Sequence, residues 1–220
     1  MQKRALIMTE AFRRYGDRWP GEAATAAQFE TFLHAHADAF ERGNHAGHFT
    51  GSAWLVSGDG TRVLLMHHRK LDRWLQPGGH ADGDPDLARV ALREAREETG
   101  LADLRVEGGI FDIDRHCIAG RLPVACPDGP RSPVAFAPGE RGSAARAHEP
   151  QHWHYDVRYV LRAGADESYI GNAESHALAW RPVGDVANDE SLDPSLRRMA
   201  RKWLARSQER ACTWHAFTRS

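Results

Sequence analysis

Three glutamates and a pair of glycines lie near one another in the sequence and are candidates for joint chemistry. They are Gly78, Gly79, Glu94, Glu97 and Glu98. On an α-helix, with about 100° between successive residues, Glu97 and Glu98 lie at roughly −60° and +40° from Glu94, so the carboxylates share one face. Carboxylate oxygens at this density suit Mg²⁺ or Mn²⁺, which commonly take phosphate oxygens for the rest of their shell. The pattern indicates metal-assisted phosphate chemistry.

The charges on this helix allow a second interpretation. Glu94 and Glu98, four residues apart, repel each other near a helix C-terminus whose dipole is already negative, so a cation is expected between them. However, Arg93 and Glu97 also form an ordinary i, i+4 pair of the kind found on solvated helices. The carboxylates alone therefore leave a plain surface helix open.

The spacing from the glycine to the helix favours the metal site. Gly79 is followed after thirteen residues by REAREETGL, Arg93 to Leu101. This resembles the Nudix box, in which a glycine and a spaced glutamate precede Arg-Glu-(apolar)-x-Glu-Glu-x-Gly-(apolar). One element departs, because Pro85 occupies the position of the first glutamate, which has mainly a structural role in the family. The resemblance extends from about Phe49 to Val186.

The resemblance implies a fold, an activity and roles for particular residues. The fold would be α/β, a Nudix-like mixed β-sheet sandwiched between helices, with an N-terminal helical appendage. The activity would be Mg²⁺-dependent hydrolysis, with Mn²⁺ as an alternative ion, of a diphosphate linkage in a nucleoside diphosphate derivative or related compound, by water attack at phosphorus. The implied metal ligands are Glu94, Glu97, Glu98 and the carbonyl of Gly79. Arg93 would orient Glu97.

The base that activates the water is left open between three glutamates. Glu98 is the first candidate on the helix and Glu97 the second, while Glu174 is the candidate from a later loop. The substrate contacts are equally open. Arg69 and Arg73 precede the glycine turn and offer forked guanidinium groups to phosphate, although such residues often only solvate a loop.

Thirteen histidines are many for 220 residues. His80, next to Gly79, is the best candidate among them for contact with substrate or metal, and HADGD and DIDRH suggest that His80, Asp82, Asp114 and His116 lie near one another. Strand alternation places His152, His154 and Asp156 on one face, with Trp153, Tyr155 and Val157 on the other. No zinc-type spacing is present, so packing or surface roles remain the alternative.

The remaining elements follow from periodicity and from cap and turn residues. The predicted elements are a helix over 25–42, a hairpin around Gly58-Asp59-Gly60, a helix over 85–99 with Asp84 as N-cap and Gly100 after its end, strands over 104–118, 152–163 and 176–186, and a closing helix from Asp193-Pro194. A segment rich in Pro, Gly and Ala over 119–150 reads as a long loop. We expect an N-terminal helical segment over 1–45, a Nudix domain over 46–206 and a C-terminal tail over 207–220.

Composition excludes several classes of protein and partner. The net charge of −1 and pI near 6.9 give no basic field for duplex nucleic acid. No stretch is apolar enough for a membrane span or signal peptide. Three cysteines are too few for a disulfide framework, which favours a reducing cytoplasm. We therefore expect a soluble cytoplasmic protein that can form a homodimer. Its expected partner is a small-molecule diphosphate substrate.

Two other functions compete with hydrolysis. A nucleotide-binding or ligand-sensing module on the same fold should tolerate loss of the three glutamates, but Glu94, Glu97 and Glu98 are present here. A DNA-binding regulator should add a basic recognition helix, whereas the segment over 25–42 is acidic and rich in histidine. An isomerase of isoprenoid diphosphates would use a cysteine near the glycine turn, where this sequence has none.

Overall fold

The computed structural model describes residues 2–69, 71–118, 150–171 and 175–217, with the backbone alone for 2–3 and 208–217. The helices are α1 (Gln2–Arg18), α2 (Ala23–Ala35), α3 (Leu87–Thr99), α4 (Val183–Asn188) and α5 (Pro194–Phe217). The strands are β1 (Gly47–Val56), β2 (Arg62–His68), β3 (Arg73–Leu75), β4 (Gly78–His80), β5 (Leu104–Ile118), β6 (His152–Ala163) and β7 (Ser175–Pro182). The predicted loop over 119–150 lies outside the described residues, apart from its last residue.

The seven strands form one mixed sheet. Its main path runs β3-β2-β1-β6-β5, while β4 pairs with β1 and β7 pairs with β2. The central pair β1 and β6 is parallel, with His48 opposite His154 and Thr50 opposite Asp156, and the other pairs are antiparallel. Two strands far apart in sequence therefore place their side chains next to each other at the centre of the sheet.

Helices cover both faces of the sheet, as the family resemblance implied. On one face, α1 and α2 pack through Phe12, Phe29 and Phe32 against Phe49 and Tyr155, and α3 joins the same core. On the other face, α4 and α5 form a second core with Trp54 and Val160. The N-terminal helices are thus part of the main hydrophobic core, because their phenylalanines leave water only by packing on the sheet.

Several boundaries differ from the sequence prediction. Helix α2 begins at Ala23 and ends at Ala35, whereas the predicted helix ran from Thr25 to Arg42. Its N-cap, Glu22, makes no side-chain hydrogen bond to the helix. Strand β7 ends at Pro182, where α4 begins, and α5 continues to Phe217, beyond the predicted end at 206. By contrast, the bounds of β5 and β6 agree with the prediction, because both are long alternating runs.

The caps of α3 confirm one end of the prediction and correct the other. Gly100 adopts a left-handed conformation (φ 72°) after the last turn, as expected for a C-terminal glycine. The N-cap is Asp86, whose side chain accepts a hydrogen bond from the Arg89 amide. Asp84 is not the cap, because it accepts from the Asp86 amide and pairs with the Arg89 side chain.

Removing this cap gives a stability prediction. Asp86→Ala leaves the Arg89 amide without its acceptor, so we expect the protein to lose about 1 kcal/mol of unfolding free energy. For a chain of this size the midpoint of thermal unfolding should fall by roughly 2–4 °C. Differential scanning calorimetry checks this value, and an unchanged midpoint would show that Asp86 does not support the helix.

A buried network of charges links β5 and β6 to α5. The Asp112 carboxylate is fully buried and accepts hydrogen bonds from Arg158 (3.1 Å), Arg198 (2.7 Å) and Lys202 (2.7 Å). Arg158 and Arg198 also lie 3.6 and 3.2 Å from Asp114. Burial alone would raise the pKa of Asp114, but these cations and His116 outweigh burial and lower it. The network stays ionised inside the protein because each charge has partners of opposite sign.

Two findings bear on the predicted cellular environment. Within the described segments, no helix is long and apolar enough to cross a membrane. Cys117, near the end of β5, is disulfide-bonded. The count and spacing of the cysteines did not predict this bond.

Candidate functional site

The glycine turn and α3 are held together through β1. Gly78 and Gly79 of β4 pair with Ser52 and Gly51 of β1. A side chain at Gly51 would collide with the carbonyl oxygen of Leu87, at 2.7 Å, so the glycine lets α3 lie directly on the strand. The N-terminal half of α3 is thus fixed on the sheet, and its C-terminal half brings the glutamates towards the turn.

Glu94 lies against Gly79. A Cβ atom at Gly79 would collide with both carboxylate oxygens of Glu94, so only glycine permits this approach. Arg93 donates to Glu94 Oε1 at 2.7 Å and to the carbonyl oxygen of His80 at 3.0 Å. The resemblance implied that Arg93 orients Glu97. In the structure these hydrogen bonds position Glu94 and the end of β4, and the role of Arg93 towards Glu97 stays a prediction.

Glu98 and Glu97 occupy different environments. Glu98 is buried, with 5% of its surface exposed, and accepts a hydrogen bond of 3.0 Å from the Gly78 amide. Glu97, on the other side of Glu94, is exposed. Burial raises the pKa of Glu94; Arg93 opposes this shift, and the negative charges of Glu97 and Asp82 add to it. Glu94 and Glu98 are therefore at least partly buried, Glu97 is exposed, and Glu94 forms an ion pair with Arg93.

The donor set fits a hard divalent cation. Oxygen ligands from carboxylates and a backbone carbonyl are those that Mg²⁺ and Mn²⁺ prefer. The close approach of Gly79 to Glu94 makes a cradle that a side chain would fill. In the described segments, a group of three histidines has potential ligand atoms within 4.8 Å of one another, and this group does not include the glutamates of α3.

The predicted substrate residues are only partly placed near the turn. His80 belongs to β4 and its carbonyl binds Arg93. Arg69 is exposed in the loop after β2. Arg73 lies 4.0 Å from Asp193, at the start of α5. Glu174, the loop candidate for the base, lies outside the described residues.

Sequence reasoning missed a second layer beneath the glycine turn. The buried Asp156 on β6 accepts hydrogen bonds from Thr50 (2.8 Å) and Ser52 (2.7 Å) on β1. A Cβ atom at Gly78 would collide with Ser52, so the turn rests directly on this group. Alternation on β6 had placed Asp156 on the correct face. Its partners on β1 required the parallel pairing of strands separated by about 100 residues, which the sequence alone does not give.

The close approach at Gly79 predicts a loss of activity on substitution. In Gly79→Ala the new methyl group would displace Glu94, and a shift of about 1 Å in such a group costs roughly 100-fold in rate. We expect a loss of this size in kcat/KM for the diphosphate hydrolysis that the family resemblance implies. Gly43→Ala is the matched control, because a Cβ there meets nothing within 4 Å and should leave the rate unchanged. Equal activity of the two variants would contradict the assigned role.

Comparison with known proteins places these observations in a family. The NUDIX domain family model matches residues 48–203, which is most of the chain and includes the glycine turn and α3. The chain belongs to the NUDIX family. None of the curated proteins compared gives a significant match. The N-terminal helices, before residue 48, lie outside the matched region.

Several solved structures are similar to this chain. An Ap4A hydrolase from C. elegans, in a binary complex, is 13% identical with a TM-score of 0.50 and covers 73% of this chain and 98% of its own. A Nudix hydrolase from M. smegmatis is 22% identical with a TM-score of 0.45, covering 76% and 88%. The NUDIX domain of Shewanella oneidensis NrtR, complexed with ADP ribose, is 21% identical with a TM-score of 0.44, covering 71% and 87%. At 13% identity, the similarity to the Ap4A hydrolase structure supports the fold and nothing more.

Proposed function

We propose that this NUDIX protein is a Mg²⁺-dependent hydrolase that cleaves a diphosphate linkage in a nucleoside diphosphate derivative or related compound. The observation that carries this proposal is the packing of the glycine turn of β4 on the glutamates of α3, with Glu94 against Gly79 and Glu98 on the Gly78 amide. The three glutamates in the helical part of the family's box are present, which favours catalysis over binding alone.

Each residue of the site has a distinct task in this proposal. Glu94, Glu97 and Glu98 provide the carboxylates that hold the cation, with the carbonyl of Gly79. Arg93 keeps Glu94 in place through the hydrogen bond at 2.7 Å. When bound, the divalent ion neutralises charge on the phosphate oxygens and lowers the pKa of water. The same carboxylates supply the base, with Glu98 as our first assignment because its burial and hydrogen bond fix its position.

The first experiment measures, by chromatography, the phosphate-bearing products that form when a diphosphate linkage is cleaved in each of a panel of compounds. The panel contains nucleoside diphosphate-linked sugars, nucleoside triphosphates and Ap4A. Ap4A is included because one of the similar solved structures is an Ap4A hydrolase. Each compound is incubated with the wild-type protein and Mg²⁺, Mn²⁺ or a chelator. We expect turnover of at least one compound that depends on the metal, and the preferred compound identifies the substrate class.

A pair of variants makes the measurement specific for the site. Glu97→Gln removes one carboxylate of α3, whereas Glu190→Gln removes an exposed carboxylate from the loop before α5. We expect turnover to collapse in the first and to persist in the second. If a nucleotide binds but nothing is hydrolysed, the protein is a nucleotide-binding or ligand-sensing module and the proposal is wrong.

A further inference from the structure

Three histidines meet across the centre of the sheet. His48 lies on β1, and His152 and His154 lie on β6, where His154 is the direct partner of His48 in the parallel pairing. The ring centroid of His48 is 4.9 Å from that of His152 and 4.8 Å from that of His154. One nitrogen from each ring lies within 4.8 Å of the others. We call these residues the histidine triad.

Two members of the triad are buried and His154 is partly buried, and the ring nitrogens of His48 lack well-formed hydrogen bonds among the described residues. His48 and His152 have only 1% and 4% of their surfaces exposed. In the described part of the chain, neither ring nitrogen of His48 makes a well-formed hydrogen bond, although the backbone of Asn44 lies near the ring. Buried polar atoms nearly always have a partner, so this ring lacks the ligand that its nitrogens require.

The hydrogen bonds of His152 leave one of its nitrogens available to a metal. Its Nδ1 lies 2.9 Å from the carbonyl oxygen of Pro150, which can only accept, so Nδ1 carries the proton. In the neutral ring Nε2 then has the lone pair and lies 3.2 Å from Nε2 of His154. This lone pair accepts a hydrogen bond when His154 carries its proton on Nε2, and it is open to a metal when His154 carries its proton on Nδ1. A histidine whose outer nitrogen donates to a backbone carbonyl is the usual arrangement for a metal ligand.

Two members of the triad, His48 and His154, have lowered pKa values. Burial is the largest influence on both His48 and His154, and the neighbouring histidines act in the same direction. The pKa of His48 falls to about 4, and that of His154 falls well below its usual value. Both rings are therefore neutral near pH 7, and neutral imidazole is the form that coordinates a metal.

We propose that His48, His152 and His154 bind a divalent transition-metal ion of the Zn²⁺ class. Imidazole nitrogens suit Zn²⁺, Co²⁺ or Ni²⁺, whereas Mg²⁺ prefers oxygen. Two nitrogens on one tetrahedral Zn²⁺, each at about 2.0–2.1 Å, are roughly 3.3–3.4 Å apart, close to the 3.2 Å between His152 and His154. The site differs from the glutamate site in its residues and in the chemistry of its ligands.

Two further histidines surround the triad. The ring centroid of His80 lies 5.0 Å from that of His48, and the ring centroid of His116 lies 5.3 Å from that of His154. His116 is held by Asp114 at 3.2 Å. His80 follows Gly79 directly in the sequence, so an ion in the triad would fasten β1 to β6 beside the glycine turn. The proposal does not depend on the hydrolase activity.

Direct metal binding tests the proposal. Full-length protein is stripped with a chelator and titrated with Zn²⁺ by calorimetry, and with Co²⁺ while the visible absorption of tetrahedral Co²⁺ is recorded. We expect the wild type to bind a single tight equivalent of Zn²⁺ and to give the tetrahedral Co²⁺ spectrum. His152→Gln and His154→Gln should each weaken Zn²⁺ binding by more than about 100-fold, since loss of an outer partner alone costs 10–100-fold.

Two controls separate this site from others. His67→Gln removes a half-buried histidine of β2, outside the triad, and the double variant Glu94→Gln/Glu97→Gln removes the oxygen ligands of α3. Both should keep the tight Zn²⁺ site. Circular dichroism confirms that each variant is folded, and the Co²⁺ spectrum of the wild type needs no variant at all. The proposal is overturned if folded wild type shows no tetrahedral Co²⁺ spectrum, or if Zn²⁺ binding disappears with the glutamates and survives loss of the histidines.

Discussion

Replacement of Glu98 by glutamine is expected to lower kcat/KM by about 10²–10⁴-fold, the usual contribution of a positioned proton acceptor. The substitution changes charge but little else. Glutamine has the shape of glutamate, and its side-chain oxygen can still accept the hydrogen bond from the Gly78 amide that Glu98 accepts at 3.0 Å. The turn should stay in place, so a fall in kcat/KM would result from the missing carboxylate and not from a displaced loop.

The metal dependence of this variant separates the two tasks assigned to Glu98. If Glu98 is mainly the base, kcat falls while the Mg²⁺ concentration for half-maximal rate stays the same. If it is mainly a ligand, more Mg²⁺ is required and part of the rate returns at high concentration. Thermal unfolding in the absence of Mg²⁺ serves as the control for folding. A rate within a few-fold of wild type at every Mg²⁺ concentration would exclude both tasks and return the assignment to Glu97 or Glu174.

The parts of the fold that follow local rules could be predicted from the sequence. The long alternating runs gave β5 and β6 their bounds and gave His152 and His154 a common face. Gly100 marked the end of α3, because a left-handed residue after a helix is usually glycine. The carboxylate face of α3 followed from helical geometry alone, since it depends only on the 3.6-residue period.

The sequence was misleading where packing overrides periodicity. Apolar residues continue at helical spacing after α2, up to Phe40, yet the helix ends at Ala35. Phe40 reaches the same core from a turn. Its ring stacks on Phe49, with centroids 5.1 Å apart, and the Phe49 amide donates a hydrogen bond to the carbonyl of Ala39. Burial of an aromatic ring does not require a helix, so the pattern alone could not locate the end of α2.

The sequence could not assemble contacts between distant strands. The histidine triad depends on the parallel pairing of β1 and β6, which brings His48 opposite His154. Strand register is set by packing and by turn geometry, and no short turn joins these two strands. The prediction that HADGD and DIDRH lie near each other is confirmed for the histidines, because His80 and His116 both lie beside His154. It is not confirmed for Asp82, which pairs with Arg42.

Loss of Arg158 is expected to destabilise the protein by about 3–5 kcal/mol, the usual effect of removing one partner from a buried ion pair. Arg158 has 3% of its surface exposed and donates to Asp156 at 2.7 Å and to Asp112 at 3.1 Å. Asp112 keeps Arg198 and Lys202 as partners, but Asp156 and Asp114 lose a guanidinium that lies within 4 Å of each. Arg158 is one of the cations that hold the pKa of Asp114 low, so burial would raise that pKa in the variant.

The measurement compares a buried with an exposed ion pair. Arg158→Met keeps the approximate length of the side chain and removes its charge, and urea denaturation at pH 7 gives the change in unfolding free energy. Arg42→Met is the matched control, because Arg42 pairs with Asp82 at 2.6 Å while more than half of its side chain is exposed. The control should cost at most about 1 kcal/mol, since water already solvates both charges. If the two variants lose equal unfolding free energy, burial does not make the ion pairs of Arg158 more important for stability than an exposed pair.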